Sequence, residues 1–412
     1  MRYIYSAAIW FYGLGIFAAS FFNPKARLWI RGRKGIFPQI KDTVKTDSVI
    51  WFHAASLGEF EQGRPVMEEI RRRYPHYKIL LTFFSPSGYE IRKNYSGADY
   101  VFYLPMDTKN NALRFVSLIK PVMAIFVKYE FWYHYIRQLH KDQIPVYLIS
   151  GIFRPGQVFF HWYGTWFRKI LSYFDHLFVQ SRESLSLLNR ISVNNATLAG
   201  DTRFDRVQQI AASTHEIPLA ARFKSGLLCI VAGSTWPGDE NFLIRYINSC
   251  DDPVKFMLAP HEIHEEHIRR IIQQLKKPYV RYSEANDSNV PDKQVLIVDN
   301  IGLLSSLYRY GDIAYIGGGF GKGIHNILEA ATFGLPILFG PKYAKFNEAV
   351  ELTGLGGAVS FDGMDELQSC LSRWLHNKAD RLRAGAVSEE FVHQKAGATT
   401  IILHQIFSGQ LQ

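Results

Sequence analysis

A carboxylate stands where a strand gives way to a helix in His53-Ala-Ala-Ser56-Leu-Gly58-Glu59. The apolar run Ser48–Phe52 reads as the strand, and Phe60–Arg73 reads as the helix. Loops at the carboxyl ends of strands collect ligands in open α/β sheets. The positive end of a helix favours the ionised carboxylate, which can take a proton as a general base. Gly58 would let a substrate approach the backbone. Ser56-Leu-Gly58-Glu59 also fits the Ser-x-x-Glu capping box, the commoner use of such a pattern. Local sequence leaves both roles open.

A second carboxylate, Glu130, follows the apolar run Val122–Val127 in Lys128-Tyr129-Glu130-Phe131-Trp132, with a helix cap as its alternative role. A third candidate region is Gly317-Gly-Gly319-Phe-Gly321-Lys322-Gly323-Ile-His325-Asn326-Ile-Leu-Glu329. An apolar strand enters a five-glycine loop and a helix follows, a place where backbone N–H groups bind phosphate. Neither the P-loop nor the Gly-x-Gly-x-x-Gly pattern fits, and glycine clusters also mark ordinary turns. Glu329, expected one turn past His325 on the same helix face, suits the two hydroxyls of a ribose. His261-Glu-Ile-His264-Glu-Glu-His267 reads as a solvated polar helix start rather than His-Glu-x-x-His. Asp251, Asp252 and Asp312 form no convincing carboxylate cluster for a divalent ion.

The elements that must hold these residues alternate in type. Strand-like runs at 49–54, 78–84, 100–104, 122–127, 145–150 and 176–180 are interleaved with helical segments, and the pattern restarts at 227–232, 255–259, 295–298, 313–316 and 335–338. This predicts two doubly wound parallel sheets with a cleft between them, a favoured place for ligands. The expected division is 1–34 as a membrane-associating helix with a basic flank, 35–208 as a first Rossmann-like domain and 209–412 as a second.

Residues 3–22 carry no charge and are rich in aromatics, and Lys25, Arg27, Arg31, Arg33 and Lys34 follow. At ~1.5 Å per residue such a helix just reaches across a bilayer core of ~30 Å, or it lies in the interface. The basic flank predicts a cytoplasmic bulk and attraction to an anionic membrane surface. A net charge of +10, from 47 basic and 37 acidic residues, fits anionic partners. No nucleic-acid module is present, so nucleic acid is not an expected partner. Three cysteines without a Cys-x-x-Cys pair fit a reducing compartment.

Together these motifs resemble the 3-deoxy-D-manno-octulosonic acid (Kdo) transferases of lipopolysaccharide assembly. The resemblance runs from Arg31-Gly-Arg33-Lys34 through the Glu59 loop, Ser85-Pro-Ser-Gly88, Tyr103-Leu-Pro105-Met-Asp107, Tyr129-Glu130-Phe-Trp132 and Gly200-Asp-Thr-Arg203-Phe204-Asp205. It continues through Gly233-Ser234-Thr235, Gly317-Gly-Gly319, His325-Asn326-Ile-Leu-Glu329 and Gly340-Pro341. It implies a GT-B fold, an acceptor-binding first domain, a CMP-Kdo-binding second domain and no catalytic metal or cofactor. It implies Kdo transfer with inversion to a hydroxyl of a lipid A precursor of the lipid IVA type, at the cytoplasmic face of the inner membrane. By the same resemblance Glu59 is the base, Glu130 and Arg203 stabilise the transition state, and Pro260, His261, Ile301, Gly302, Leu303, Asn326, Ile327, Leu328 and Glu329 contact CMP. The chain departs from the family at Pro260-His261-Glu262, where Pro-Arg-His is common, and at Lys128-Tyr129-Glu130, where Glu-Thr-Glu is common. Arg203 replaces the usual lysine, and Gly323-Ile324 replaces Gly-Gly. The rival readings are another metal-independent GT-B enzyme with a different nucleotide-sugar donor, and a non-catalytic membrane lipid-binding protein.

Overall fold

In a computed structural model of the chain, which describes residues 1–45, 48–213 and 216–408, the run 49–54 is a strand buried at every position, β1 (Val49–Ala54). Burial on both faces is what a parallel sheet covered by helices requires, and it explains the unbroken apolar run. β1 is joined by β2 (Lys78–Phe83), β3 (Tyr100–Tyr103), β4 (Pro121–Val127), β5 (Val146–Gly151), β6 (His176–Val179) and β7 (Ala196–Leu198). All neighbours are parallel, in the order β3-β2-β1-β4-β5-β6-β7. Side chains alternate between the two faces. Trp51, Leu80, Phe126 and Leu148 pack on one face with the helices Lys109–Ile119 and Tyr133–Lys141. Ile50, Phe52, Leu81 and Ile125 pack on the other with the helix Leu57–Arg73.

A second parallel sheet is built from β8 (Leu228–Thr235), β9 (Val254–Pro260), β10 (Tyr279–Arg281), β11 (Val295–Ile297), β12 (Ile313–Ile316), β13 (Ile337–Phe339) and β14 (Ala358–Ser360). Its order is β10-β11-β9-β8-β12-β13-β14. The doubly wound α/β class expected from the alternation is therefore present twice. The strands that sequence reading missed, β7, β10 and β14, have three residues each and lie at sheet edges. An edge strand needs little apolar length, so it leaves no run to detect.

The compact units are Met1–Arg206 with Ala396–Gln412, and Val207–Lys395. The sequence division gave everything after 208 to the second half, whereas the last helix, Ala398–Phe407, returns to the first. Ile402, Leu403, Ile406 and Phe407 join the core beneath the helix Leu57–Arg73, and the Phe407 ring stacks on Tyr74 at 4.0 Å. Each such side chain contributes roughly 1.5–3 kcal/mol on burial. Asp205 fixes the start of this helix, accepting from the Gly397 and Thr399 amides and the Thr399 hydroxyl at 2.5–2.7 Å.

At the N-terminus the helix Arg2–Ala19 leaves Tyr3, Ile4, Trp10, Phe11, Leu14 and Phe17 exposed. No helix among the described residues is long and apolar enough to cross a membrane. The helix is fastened through Tyr5, whose hydroxyl donates to the buried Asp107 at 2.5 Å. Asp107 also accepts from the His134 and Tyr135 amides, both at 3.1 Å. Arg33 does not belong with the exposed basic flank. Its guanidinium donates to the Leu104, Trp29 and Phe84 carbonyls at 2.7–3.0 Å and lies over the Trp29 ring, and burial pulls its pKa down to about 9.

Candidate active site

In the first sheet the strand order reverses direction between β1 and β4, which makes their carboxyl ends the expected ligand crevice. Glu59 follows β1 and Glu130 follows β4. Ser56 is the N-cap of the helix Leu57–Arg73, and Glu59 lies in its first turn. The capping box is not formed: no helix amide donates to the Ser56 side chain. The Ser56 hydroxyl instead donates directly to the half-buried Glu59 carboxylate. Glu59 is thus a partly accessible carboxylate that accepts a hydroxyl hydrogen bond at the positive end of a helix.

Glu130 is different in kind. It does not cap a helix, because the next one begins at Tyr133. Its carboxylate is buried, 3.1 Å from His53 Nε2, and accepts from Trp132 Nε1 at 2.5 Å. His53 is fully buried in β1, with Nδ1 2.8 Å from the Thr82 hydroxyl, which accepts from Trp51 Nε1 at 2.8 Å. One proton arrangement satisfies every group. Trp51 donates to Thr82, Thr82 to His53 Nδ1, and His53 Nε2 and Trp132 both donate to Glu130. The chain of hydrogen bonds fixes Glu130 beside the β1–helix loop. Its signal in the sequence is a histidine inside an otherwise apolar strand, a buried polar group that demands partners.

Arg203 comes from the far edge of the sheet, after β7, and its guanidinium is paired with Asp201 at 2.7 Å. The neighbouring Thr202 brings it back toward β1, because its hydroxyl donates to the Gln62 carbonyl at 2.5 Å, within the helix that carries Glu59. The Gly200–Asp205 motif therefore has two jobs, since Asp205 holds the C-terminal helix.

In the second sheet the reversal lies between β8 and β12. Trp236 follows β8, His261 follows β9 and His325 follows β12. Their rings gather: His261 stacks on Trp236 at 4.7 Å and on His325 at 4.5 Å, and Trp236 Nε1 donates to His325 Nε2 at 2.9 Å. Burial, then the nearby His261, lowers the His325 pKa, so its ring stays neutral. Flat rings of this kind offer a stacking face to an aromatic base. Trp236, which sequence reading passed over, had only its place at a strand end as a signal.

The glycine loop is explained by packing rather than by a row of free amides. Gly318 N–H donates to the buried Asp239 at 2.8 Å, Gly321 and Gly323 donate to the Gly318 carbonyl, and His325 donates to the Gly317 carbonyl. A Cβ on Gly317 would lie 2.2 Å from the Ser234 carbonyl oxygen, and one on Gly319 2.6 Å from the Gly340 backbone. Nor do His325 and Glu329 share a helix face, since the helix is only Leu328–Ala331. The expected segments do meet: Glu329 accepts from Ser305 at 2.5 Å and from the Asn326 side-chain amide at 3.1 Å. That brings the Ile301-Gly302-Leu303 stretch, with Ile301 exposed and Gly302 at positive φ, beside Asn326, Ile327 and Leu328. Ile327 and Leu328 are buried, so their side chains pack the segment. Pro260 closes β9 and is likewise buried.

A sequence model described as 3-Deoxy-D-manno-octulosonic-acid transferase (kdotransferase) matches residues 29–206, the stretch that carries Glu59, Glu130 and Arg203. Named relatives extend the match through most of the chain. A 3-deoxy-D-manno-octulosonic acid transferase of Aquifex aeolicus is 29% identical over 79% of this chain and 85% of its own length. The chain is similar to Kdo transferases over most of its length. Its relative in Haemophilus influenzae is 25% identical over 86% of this chain and 85% of that protein. Among solved structures, a UDP-GlcNAc 2-epimerase of Neisseria meningitidis aligns over 87% of this chain and all 100% of its own, with TM-score 0.61 at 14% identity. Acinetobacter baumannii MurG aligns over 87% and 99%, with TM-score 0.55 at 11% identity. These two share with this chain the paired Rossmann-like architecture, the GT-B fold.

Proposed function

We propose that this protein moves Kdo from CMP-Kdo to a hydroxyl of a lipid A precursor of the lipid IVA type, with inversion, in lipopolysaccharide core assembly. Glu59 removes the hydroxyl proton. The freed oxygen attacks the anomeric carbon of Kdo, and the bond to the CMP phosphate breaks on the opposite side. The observation that carries this reading is Glu59 itself: a partly accessible carboxylate at the β1 end, accepting a hydroxyl hydrogen bond from Ser56. An acceptor hydroxyl would take the place of Ser56. Glu130 is held at the end of β1 by His53 and Trp132, and Arg203 supplies a cation for the Kdo carboxylate and the leaving phosphate. In the second unit the Trp236–His261–His325 cluster suits the cytosine ring, and Glu329, braced by Ser305 and Asn326, suits the ribose.

The exposed aromatic face of the helix Arg2–Ala19, followed by the exposed Lys25, Arg27, Arg31 and Lys34, supports seating on the anionic cytoplasmic face of the inner membrane, with the helix in the interface. No catalytic metal takes part, because the phosphate leaves against a fixed cation. The deciding experiment incubates the protein with CMP-Kdo and a tetraacylated lipid A precursor, without added Mg²⁺ or Mn²⁺, and weighs the product. A mass gain of one or more Kdo units, lost in Glu59→Ala with an unchanged circular dichroism spectrum, is expected. Turnover of a UDP-sugar but not CMP-Kdo overturns the donor assignment, and full activity of Glu59→Ala overturns the base.

A further inference from the structure

The segment between β9 and the helix Glu265–Gln274 gathers Glu262, His264 and His267, with one ligand-type atom of each within 4.8 Å of the others. His267 is 2% exposed. Its Nε2–H donates to the Glu240 carboxylate at 2.8 Å, and the other Glu240 oxygen accepts from the Thr235 hydroxyl at 3.0 Å. With the proton held on Nε2, the lone pair is on Nδ1. That buried nitrogen has no hydrogen-bond partner among the described residues. His264 uses Nδ1 to accept the His267 amide at 3.2 Å, leaving its Nε2 beside Glu262 Oε2 at 3.4 Å. A buried carboxylate that orients a histidine so that its free nitrogen meets a second histidine and a second carboxylate is the outer-shell arrangement of a metal site.

We propose that Glu262, His264 and His267 bind a divalent transition-metal ion of the zinc class. The donors are His267 Nδ1, His264 Nε2 and a Glu262 oxygen, and solvent fills the fourth tetrahedral position. Donor atoms around such an ion are about 3.4 Å apart. The His264–Glu262 pair already has that spacing, and both side chains are exposed enough to close on His267 by rotation. Two imidazoles and one carboxylate favour zinc, cobalt or nickel over magnesium or calcium. The site is separate from the proposed transfer chemistry. It ties the loop just past His261 to the helix Pro237–Ser249, which carries Glu240.

The test uses the full chain, stripped with a chelator and dialysed. Co²⁺ is titrated in as the optical probe and Zn²⁺ competes against it. One Co²⁺ per chain with the intense visible bands of tetrahedral coordination, displaced by Zn²⁺, is expected. His264→Ala and Glu262→Ala, both at exposed positions, should each weaken Zn²⁺ binding at least tenfold while the circular dichroism spectrum is unchanged. Absence of tetrahedral Co²⁺ bands, or affinity unaltered in both variants, overturns the proposal. Because the readout is metal binding, it stands or falls independently of Kdo transfer.

Discussion

Removing Glu130 should cost less stability than removing His53, because the histidine has a second way to satisfy its neighbours. In Glu130→Ala the carboxylate that accepts from His53 and Trp132 is gone. Two buried donors left unpaired would cost about 1–3 kcal/mol each. The geometry offers an escape. Trp132 Nε1 lies 3.0 Å from His53 Nε2, and His53 Nδ1 lies 3.1 Å from the Thr82 carbonyl. If the proton moves from Nε2 to Nδ1, Nδ1–H donates to that carbonyl, the Thr82 hydroxyl turns to the Phe52 carbonyl at 3.3 Å, and Nε2 accepts from Trp132. Every donor is again paired, and the cost falls to about 1–2 kcal/mol, mainly the lost charge-assisted bonds. His53→Ala has no such escape. It leaves a ring-sized hole in β1 and a buried carboxylate with Trp132 alone, which costs about 3–5 kcal/mol. The assay is hydrogen exchange of the β1 and β4 amides, which reads the first unit even where the two units unfold separately. ¹⁵N-labelled histidine NMR then reads the tautomer. A His53 proton on Nε2 in both wild type and Glu130→Ala, or equal loss of protection in the two variants, would refute the reasoning.

Glu59→Gln keeps the shape and should lower kcat about 10²–10⁴-fold in a CMP-release assay with little change in KM. Asp107 is pushed up to about 6, burial outweighing its hydrogen bonds. Its protonated form therefore suits the folded state, and its contribution to stability is complete below the ordinary carboxylate range and is lost as pH rises through about 6. Tyr5→Phe removes a bond that holds this pKa down, so the Asp107 titration, followed by carboxyl ¹³C NMR, should move to higher pH. Gly317→Ala forces a methyl group onto the Ser234 carbonyl and should cost about 1–3 kcal/mol in the second unit, measured by hydrogen exchange of β8 and β12.

Long apolar strands were legible because burial on both faces leaves little choice of residue. The apolar run placed β1, although the strand continues two residues past Phe52 to Ala54. The order of motifs was legible too, and it placed Glu59 and Glu130 at the ends of strands that prove to be neighbours. What sequence could not supply was partnership. Ser56 and Glu59 match a capping box by type, yet the hydroxyl donates to the carboxylate instead of accepting from the backbone. Five glycines look like a phosphate cradle, yet backbone crowding at Gly317 and Gly319 requires them. Arg33 counted as surface charge, yet three carbonyls draw it inward. Each outcome is set by residues distant in the chain, and pattern within a window is blind to them.

The return of the C-terminal helix to the first unit has a consequence for how the protein is made. The second unit is, in chain order, an insertion: residues 207–395 are synthesised before the segment that finishes the unit begun at residue 1. A nascent chain paused after Arg206 has its first sheet but lacks the side chains of Ile402, Leu403, Ile406 and Phe407 that cover part of it. Asp205 meanwhile waits for amides that do not yet exist. The first unit to begin is thus the last to be sealed, and a fragment cut at the boundary leaves the ribosome with a greasy groove open to chaperones and proteases.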